Sequence, residues 1–452
     1  MAFKSRLLAI ALEDATTNVA VDVETTLPVH EELQEITEAA AEVDDNLGAQ
    51  ETVEEVAEAL EGLAVLARGS LATGGMDAAQ ASIFNFSVES HARRIPGLRV
   101  STPSQEAYGE TGSKLQSTNL ALESIGQMLK DLWATIKNLI MKAIRAVKDY
   151  YNKVWSGAAR MAEKAKSIRE KANKITTVAK EKKFESGSLG KALHIDGKAP
   201  ADMDAQLVKL ATLADAVYKK ADAAAIASTE AYVTAVDKVD FSSDDAFGKS
   251  AAAMITALKD KFANAADYGA TSDVPGDDAR FKDLNRSEFD VKRSDEMLGG
   301  KGIFVTRMKT APTEAKEFFS SYVGTMKADL SDYASTEKDV TNLSFDTLPT
   351  RSVATICTKI EELCSKVVSF KKSNADLEKL SERVLTAGDK FQKNSEKAKD
   401  LADSAQGLAS AILRGHKDMV QLSQEPFRKF SGYVMSTAGA VLGYCEKSLA
   451  QY

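Results

Sequence analysis

Cysteine is scarce: three residues in 452 cannot build the bridge framework that holds a small secreted domain together. Proline is scarce too, with eight residues, and aromatics are 7% of the chain; both point toward helix and away from many short strands and turns. The four histidines, His30, His91, His194 and His416, are far apart in sequence and form no metal-ligand motif, so neither a metal nor a cofactor is expected. No run approaches the roughly 18 consecutive apolar residues of a spanning helix. Lys4-Ser-Arg-Leu-Leu-Ala-Ile-Ala-Leu reaches Glu13-Asp14 with no small-residue cleavage site, so it reads as the first turns of an amphipathic helix, not a signal peptide. Tyr433 to Tyr444, the most apolar run near the other end, is too short to span. A soluble protein, not secreted by the general route, is expected.

Catalytic motifs are missing as well. No Gly-x-Ser-x-Gly elbow occurs, and no pair of carboxylates stands isolated in an apolar setting. Gly299-Gly-Lys-Gly lacks the spacing and strand-to-helix context of a phosphate loop and reads as a hairpin loop. Cys357 and Cys364, seven apart beside Ile356, Ile360 and Val367, read as small core residues on one helix face. The chain is not expected to be an enzyme.

Charge is present in quantity but distributed unevenly. The total, 58 Lys+Arg against 66 Asp+Glu, is −8. Met1 to Glu106 holds 6 basic and 19 acidic residues, a net −13, leaving 52 basic against 47 acidic and a net +5 in the rest. Such asymmetry marks an acidic appendage or an anionic partner. Two parts are therefore expected: an acidic helical segment, 1–106, and a basic helical body, 107–452.

In the acidic part, Leu33, Ile36, Ala40, Val43, Leu47, Val53, Val56, Leu60 and Leu63 recur at helical spacing, with Glu and Asp on the other faces. Gly69 to Gly75 is a helix stop, and Ile83 to Val100 reads as short extended pieces and turns. Ser101 to Ser113, rich in Pro, Gly, Ser and Thr, is the linker at which the charge changes sign. Beyond it, 115–183 is expected to be one long basic amphipathic helix. Ile125, Leu129, Leu132, Ile136, Leu139, Ala143, Val147, Tyr150 and Val154 form its apolar stripe, and 15 Lys+Arg face 5 Asp+Glu between Gln127 and Lys183. The stripe reads as core. Lys130, Lys137, Lys142, Arg145, Lys148 and Lys153 offer a surface for phosphates or anionic lipid with no motif for reading bases. Trp133 and Trp155 lie on the same helix as packing or membrane anchors.

The remainder reads as mainly α. Helices are expected over 200–270, then a small β-hairpin insertion near 285–310 (within 271–311) from Glu288-Phe-Asp-Val-Lys and Gly302-Ile-Phe-Val-Thr-Arg-Met. A helical bundle is expected over 312–452, with helices at Pro312 to Lys338, Thr350 to Lys371, Asn374 to Asn394, Ser395 to Ser423 and Phe427 to Leu449.

Ser104-Gln105-Glu106-Ala107 places a small residue two before a glutamate in that linker, where an extended segment can enter a protease cleft. The acidic first part, this triplet at the charge step, the basic helix from Leu129 past Trp133 to Trp155 and the helical remainder together resemble the internal head proteins of phiKZ-like giant bacteriophages. The resemblance implies a non-enzymatic virion protein held inside the capsid with the genome. It further implies an acidic propeptide that the phage's prohead protease removes after small-x-Glu. Other internal head or capsid proteins, packaged double-stranded DNA bound without sequence preference, and a membrane during ejection are the partners implied. The triplet recurs at Ala49-Gln-Glu51, Ser87-Val-Glu89, Ser228-Thr-Glu230, Ser335-Thr-Glu337 and Ser423-Gln-Glu425; position at the charge step singles out Glu106, with Glu51 and Glu89 as secondary candidates. Two other readings stay open, a membrane-active or ejected protein working through the Trp133–Trp155 helix and a cellular helical scaffold or adaptor.

Overall fold

A computed structural model describes residues 30–108, 113–263, 268–314, 317–323, 327–334, 340, 343–395 and 403–452. The N-terminal amphipathic segment and Ser335-Thr-Glu337 lie outside the described residues. The chain is mainly α, with a few short antiparallel strands. It divides into two compact units: residues 41–146, and the rest of the chain.

Helix α1 (His30–Leu71) starts with Glu31 and Glu32 and ends near Arg68, charges that suit the two ends of the helix dipole. It ends in a turn where Gly74 and Gly75 have φ of +94° and +98°, values that favour glycine. Asp77 then caps α2 (Ala78–Ala92): its carboxylate accepts from the Gln80 amide at 2.8 Å, while the Gln80 side chain accepts from the Asp77 amide at 3.0 Å. This reciprocal box satisfies two donors that the helix start would otherwise leave open. From Ile83 to Ala92 the expected extended pieces are therefore helix, because Phe84 and Val88 fall on the same face as Ala81 and Ala92 and are buried, while 93–100 is turn and irregular chain. Helix α3 (Lys114–Lys174) follows and ends earlier than the expected 183. Within residues 41–146 the buried stripes are Val53, Val56, Leu60 and Ala64 on α1, Ala81, Phe84 and Val88 on α2, and Ile125, Met128, Leu132 and Ile136 on α3. Spacing of three and four residues accounts for each.

In the other unit the later turns of α3 bury Tyr150, Tyr151, Val154, Met161 and Ile168. Strand β1 (Lys183–Glu185) pairs antiparallel with β6 (Ser344–Asp346), placing Phe184 opposite Phe345. Between them come α4 (Leu189–Leu193), α5 (Met203–Asp215), a π-helical segment (Ala216–Ala221), α6 (Asp222–Val236) and α7 (Asp244–Ala263). An antiparallel sheet in the order β2-β3-β4-β5 is formed by β2 (Ser272–Asp273), β3 (Phe289–Arg293), β4 (Lys301–Met308) and β5 (Lys327–Asp332). The expected hairpin is its centre, with Gly299 and Gly300 at positive φ in the connection. Of the helix expected over Pro312 to Lys338, Phe318–Val323 is a short π-helical segment, whereas residues 327–332 are strand β5 and pair with β4. Val274, Leu284, Phe289, Val291 and Phe304 form a small core on the sheet.

The three last helices are α8 (Thr350–Ser369), α9 (Lys371–Ser395) and α10 (Asp403–Leu449). Two helices were expected where α10 runs as one, with Pro426 inside it. A proline there costs a backbone hydrogen bond and crowds the preceding turn, but Phe427 and Phe430 are buried directly beyond it and hold the helix in place. From Phe427 to Cys445 nearly every position of α10 is buried, the mark of a helix surrounded by its neighbours. Tyrosines from around it bring their rings to this core and find a carbonyl or hydroxyl for the hydroxyl group. Tyr150 donates to the Arg428 carbonyl at 2.9 Å, Tyr232 donates to that of Ile412 at 2.7 Å, and the Tyr218 hydroxyl lies 2.8 Å from that of Ser431.

Candidate processing segment and basic helix face

Ser104, Gln105 and Glu106 are exposed, Ala107 is half-buried and Tyr108 is buried. Gln105 to Tyr108 forms one 3-10 turn, closed by the Ala107 amide donating to the Ser104 carbonyl at 3.0 Å. The chain is anchored on both sides of this turn, to different helices. Upstream, the Asn85 side chain on α2 donates to the Pro103 carbonyl at 2.8 Å, and Gln105 donates to the Ala78 carbonyl at 3.4 Å. Downstream, the Ser117 hydroxyl on α3 donates to the Ala107 carbonyl at 2.8 Å, and Tyr108 donates to the Ser117 carbonyl at 3.1 Å. Between the two anchors, the Glu106 side chain makes no ion pair or hydrogen bond among the described residues. The Glu106–Ala107 peptide thus bridges two seated ends.

The other glutamate triplets sit differently. Glu51, Glu89, Glu230 and Glu425 lie inside α1, α2, α6 and α10, and Gln50, Val88, Thr229 and Gln424 next to them are buried. Among the described residues, two further triplets lie outside helices. At Ala179-Lys-Glu181 the Lys180 amide donates to the Gln451 carbonyl at 2.7 Å and Thr347 donates to the Glu181 carbonyl at 2.8 Å. At Ser294-Asp-Glu296 the serine is buried and Glu296 accepts from the Asp196 amide at 2.7 Å. Residues on both sides of Glu106 belong to the unit 41–146.

Helix α3 carries 13 Lys+Arg against 5 Asp+Glu. At 100° per residue, the six basic positions singled out in the sequence fall on the side opposite the buried stripe. In the unit 41–146, Lys130 and Lys137 are half-buried while Lys142 and Arg145 are exposed. In the other unit, Lys148 lies 3.0 Å from Glu378, whose hydrogen bond and charge raise its pKa, and Lys153 is half-buried. Lys142, Arg145 and Lys153 have no acidic partner among the described residues. Farther along, carboxylates from α1, α8 and α10 meet the cations: Arg160 pairs with Glu32 at 3.3 Å, Arg169 with Glu361 at 3.0 Å and Lys164 with Glu446 at 3.2 Å. Part of the positive charge counted in the sequence is therefore matched inside the body. The Trp155 ring stacks on buried Tyr151, centroids 5.5 Å apart, and Lys371 lies 5.3 Å from its centre. Trp133 is half-buried. Among the described residues, no helix is long and apolar enough to cross a membrane. Cys357, Cys364 and Cys445 are all buried.

The anchors Asn85 and Ser117 were invisible in the sequence. They lie 18 residues before Pro103 and 10 after Ala107, and neither belongs to a motif.

A family model for phiKZ-like phage internal head proteins matches residues 19–447. No curated protein and no solved structure matches the chain.

Proposed function

The chain belongs to the phiKZ-like phage internal head proteins, and from that premise we propose that it is made as a precursor and matured by cutting the Glu106–Ala107 peptide. As a member of that family it is a structural protein of the phage head, located inside the capsid. The observation that carries the proposal is the double anchoring: Pro103 is held to α2 and Ala107 to α3, with an exposed glutamate between them. A protease needs the backbone extended, and here one main-chain hydrogen bond across the turn has to open. The triplets at Glu51, Glu89, Glu230 and Glu425 would require melting an α-helix, and that at Ser294-Asp-Glu296 has its serine buried.

Cutting and release are separate steps on this reading. Both new ends stay seated on their helices, and the Met76 amide still donates to the Thr118 hydroxyl at 2.9 Å across the cut. Release follows when the shared core of 41–146 opens and the first turns of α1, where Glu32 pairs with Arg160, leave the other unit. It removes a net −13 and leaves a +5 body. The acidic segment would mask the basic body and meet scaffold or the capsid lining before DNA enters, and its loss would admit packed DNA as a partner. The prohead protease, neighbouring head proteins and DNA are the partners proposed, with Lys142, Arg145 and Lys153 as the phosphate-facing positions.

Mass spectrometry of the chain from mature particles should find Ala107 as the N-terminus. An N-terminus upstream of it would overturn the proposal. For DNA, the processed chain should bind duplex more tightly than the precursor, and log affinity should fall linearly with log salt. Equal binding by both forms, insensitive to salt, would sink the unmasking idea.

A further inference from the structure

The start of α1 belongs to the body, apart from the rest of the acidic segment. Residues 30–40 fall in the unit that holds 147–452. Leu33, Ile36 and Ala39 are buried along one face of these turns, while Glu31, Gln34, Glu35 and Glu38 are exposed on the others. The stretch is an amphipathic helix with an acidic exterior.

Its seat is built around one glycine. Gly157 on α3 is buried, and a Cβ placed there would lie 3.2 Å from Cδ1 of Ile36, 3.5 Å from Cε of Met435 on α10 and 3.8 Å from Cβ of Glu32. Glycine weakens a helix interior; here it opens a notch, walled by the fully buried Met435, that Ile36 fills. Two cationic contacts flank this anchor. One turn before Ile36, Glu32 pairs with Arg160 on α3 at 3.3 Å. One turn after it, the Ala40 carbonyl accepts from the Arg428 guanidinium of α10 at 3.5 Å.

Gly157, Arg160, Arg428 and Met435 all stay with the body when the acidic segment goes. The vacated seat is then an apolar notch between two guanidiniums. A phosphate would answer the arginines and leave the notch to water. An amphipathic helix answers both, with an aliphatic anchor in the notch and a carboxylate one turn ahead of it.

We propose that maturation uncovers a docking groove on α3 and α10 for an acidic amphipathic helix of a neighbouring chain, and that residues 30–40 fill this groove in the precursor. The processing reading supplies the event that opens the groove, but the groove itself does not depend on it.

The full chain carrying Leu33→Asp and Ile36→Asp should unseat its own helix. A fluorescent peptide of residues 30–46 should then bind it with a Kd of about 1–100 μM, read by anisotropy. The parent chain should bind the peptide about tenfold more weakly or worse, because its groove is occupied. Adding Gly157→Leu to the unseated variant should cost about tenfold by filling the notch. Adding Arg160→Glu should also weaken binding, and a peptide with Glu32→Lys should recover it. An unseated variant that keeps its circular dichroism spectrum and ignores the peptide would overturn the proposal, as would binding indifferent to Gly157→Leu. Should that variant lose its fold, the processed chain from mature particles is offered the same peptide, and no binding there is equally fatal. A particle chain that begins upstream of Ala107, beside an unseated full chain that binds, would count against the processing reading and leave the groove standing.

Discussion

Replacing Lys429 with methionine should destabilise the chain by about 2–4 kcal/mol, read from urea denaturation at pH 7. Lys429 lies on α10, and its ammonium is 2.7 Å from Asp329 on β5 and 3.1 Å from Glu425 one turn earlier. Burial works against the charged form, but Glu425 and Asp329 outweigh it and hold the pKa above the usual lysine value. Its side chain is only 22% exposed, so water screens the arrangement less than it would a surface pair. Methionine keeps the packing of the stem and removes the charge, leaving two carboxylates facing each other at the helix–sheet contact. Adding Asp329→Asn should return much of the loss, because the stranded charge disappears with it. A loss under about 0.5 kcal/mol would place the trio among ordinary exposed ion pairs.

Asp222→Asn should act in the opposite direction, stabilising the protein at pH 7 by up to about 3 kcal/mol. Asp222 opens α6 behind the π-helical segment and is 6% exposed. Burial raises its pKa from 3.8 to about 6, against a hydrogen bond from Ser373 and with a smaller push from Asp376. Below about pH 4 the folded and unfolded chains both carry the proton, and the site costs nothing. As pH climbs from about 4 to 6 the unfolded chain gives up its proton first, so stability falls. Above that range the folded chain holds a buried carboxylate and the whole penalty applies. Asparagine removes the titration and keeps the shape. The difference in unfolding free energy between variant and parent should therefore be near zero at pH 4 and full at pH 7. A difference that does not change with pH would refute the assignment.

Local period was legible in the sequence where one face of an element is buried. The stripes of α1, α3 and α8 are read for the most part, because their apolar residues return every three or four positions and only one side meets the core, though Leu47, Leu63, Leu129 and Leu139 are half-buried. Helix α2 defeats that logic. Ile83-Phe-Asn-Phe-Ser-Val alternates like a strand because apolar residues serve two surfaces, Phe84 and Val88 inward and Ile83 and Phe86 outward. Strand β5 was hidden for a related reason. Lys327-Ala-Asp-Leu-Ser-Asp is short and polar, and only its pairing with β4 makes it a strand. Pro426 signalled a break that tertiary packing overrides. The processing segment was found from charge and composition, which are one-dimensional. Its two anchors come from residues on separate helices, and no local signal encodes them. The same limit applies to the basic helix: Arg160, Lys164 and Arg169 count as free charge in the sequence, and Glu32, Glu446 and Glu361 that meet them are more than a hundred residues away.

The burial of α10 on nearly all sides sets an order of events during synthesis. Its contacts run to α4, α6, α7, β5, α8 and α9, all of which leave the ribosome before it does. Until α10 emerges, those elements have no common partner, and their inward faces stay open to water, to one another and to chaperones. Pairs such as α6 with α7 and α5 with α8 can pack as the chain grows, but the core they share with α10 cannot be completed until it emerges. The body closes around its core late, when most of the polypeptide has already been made.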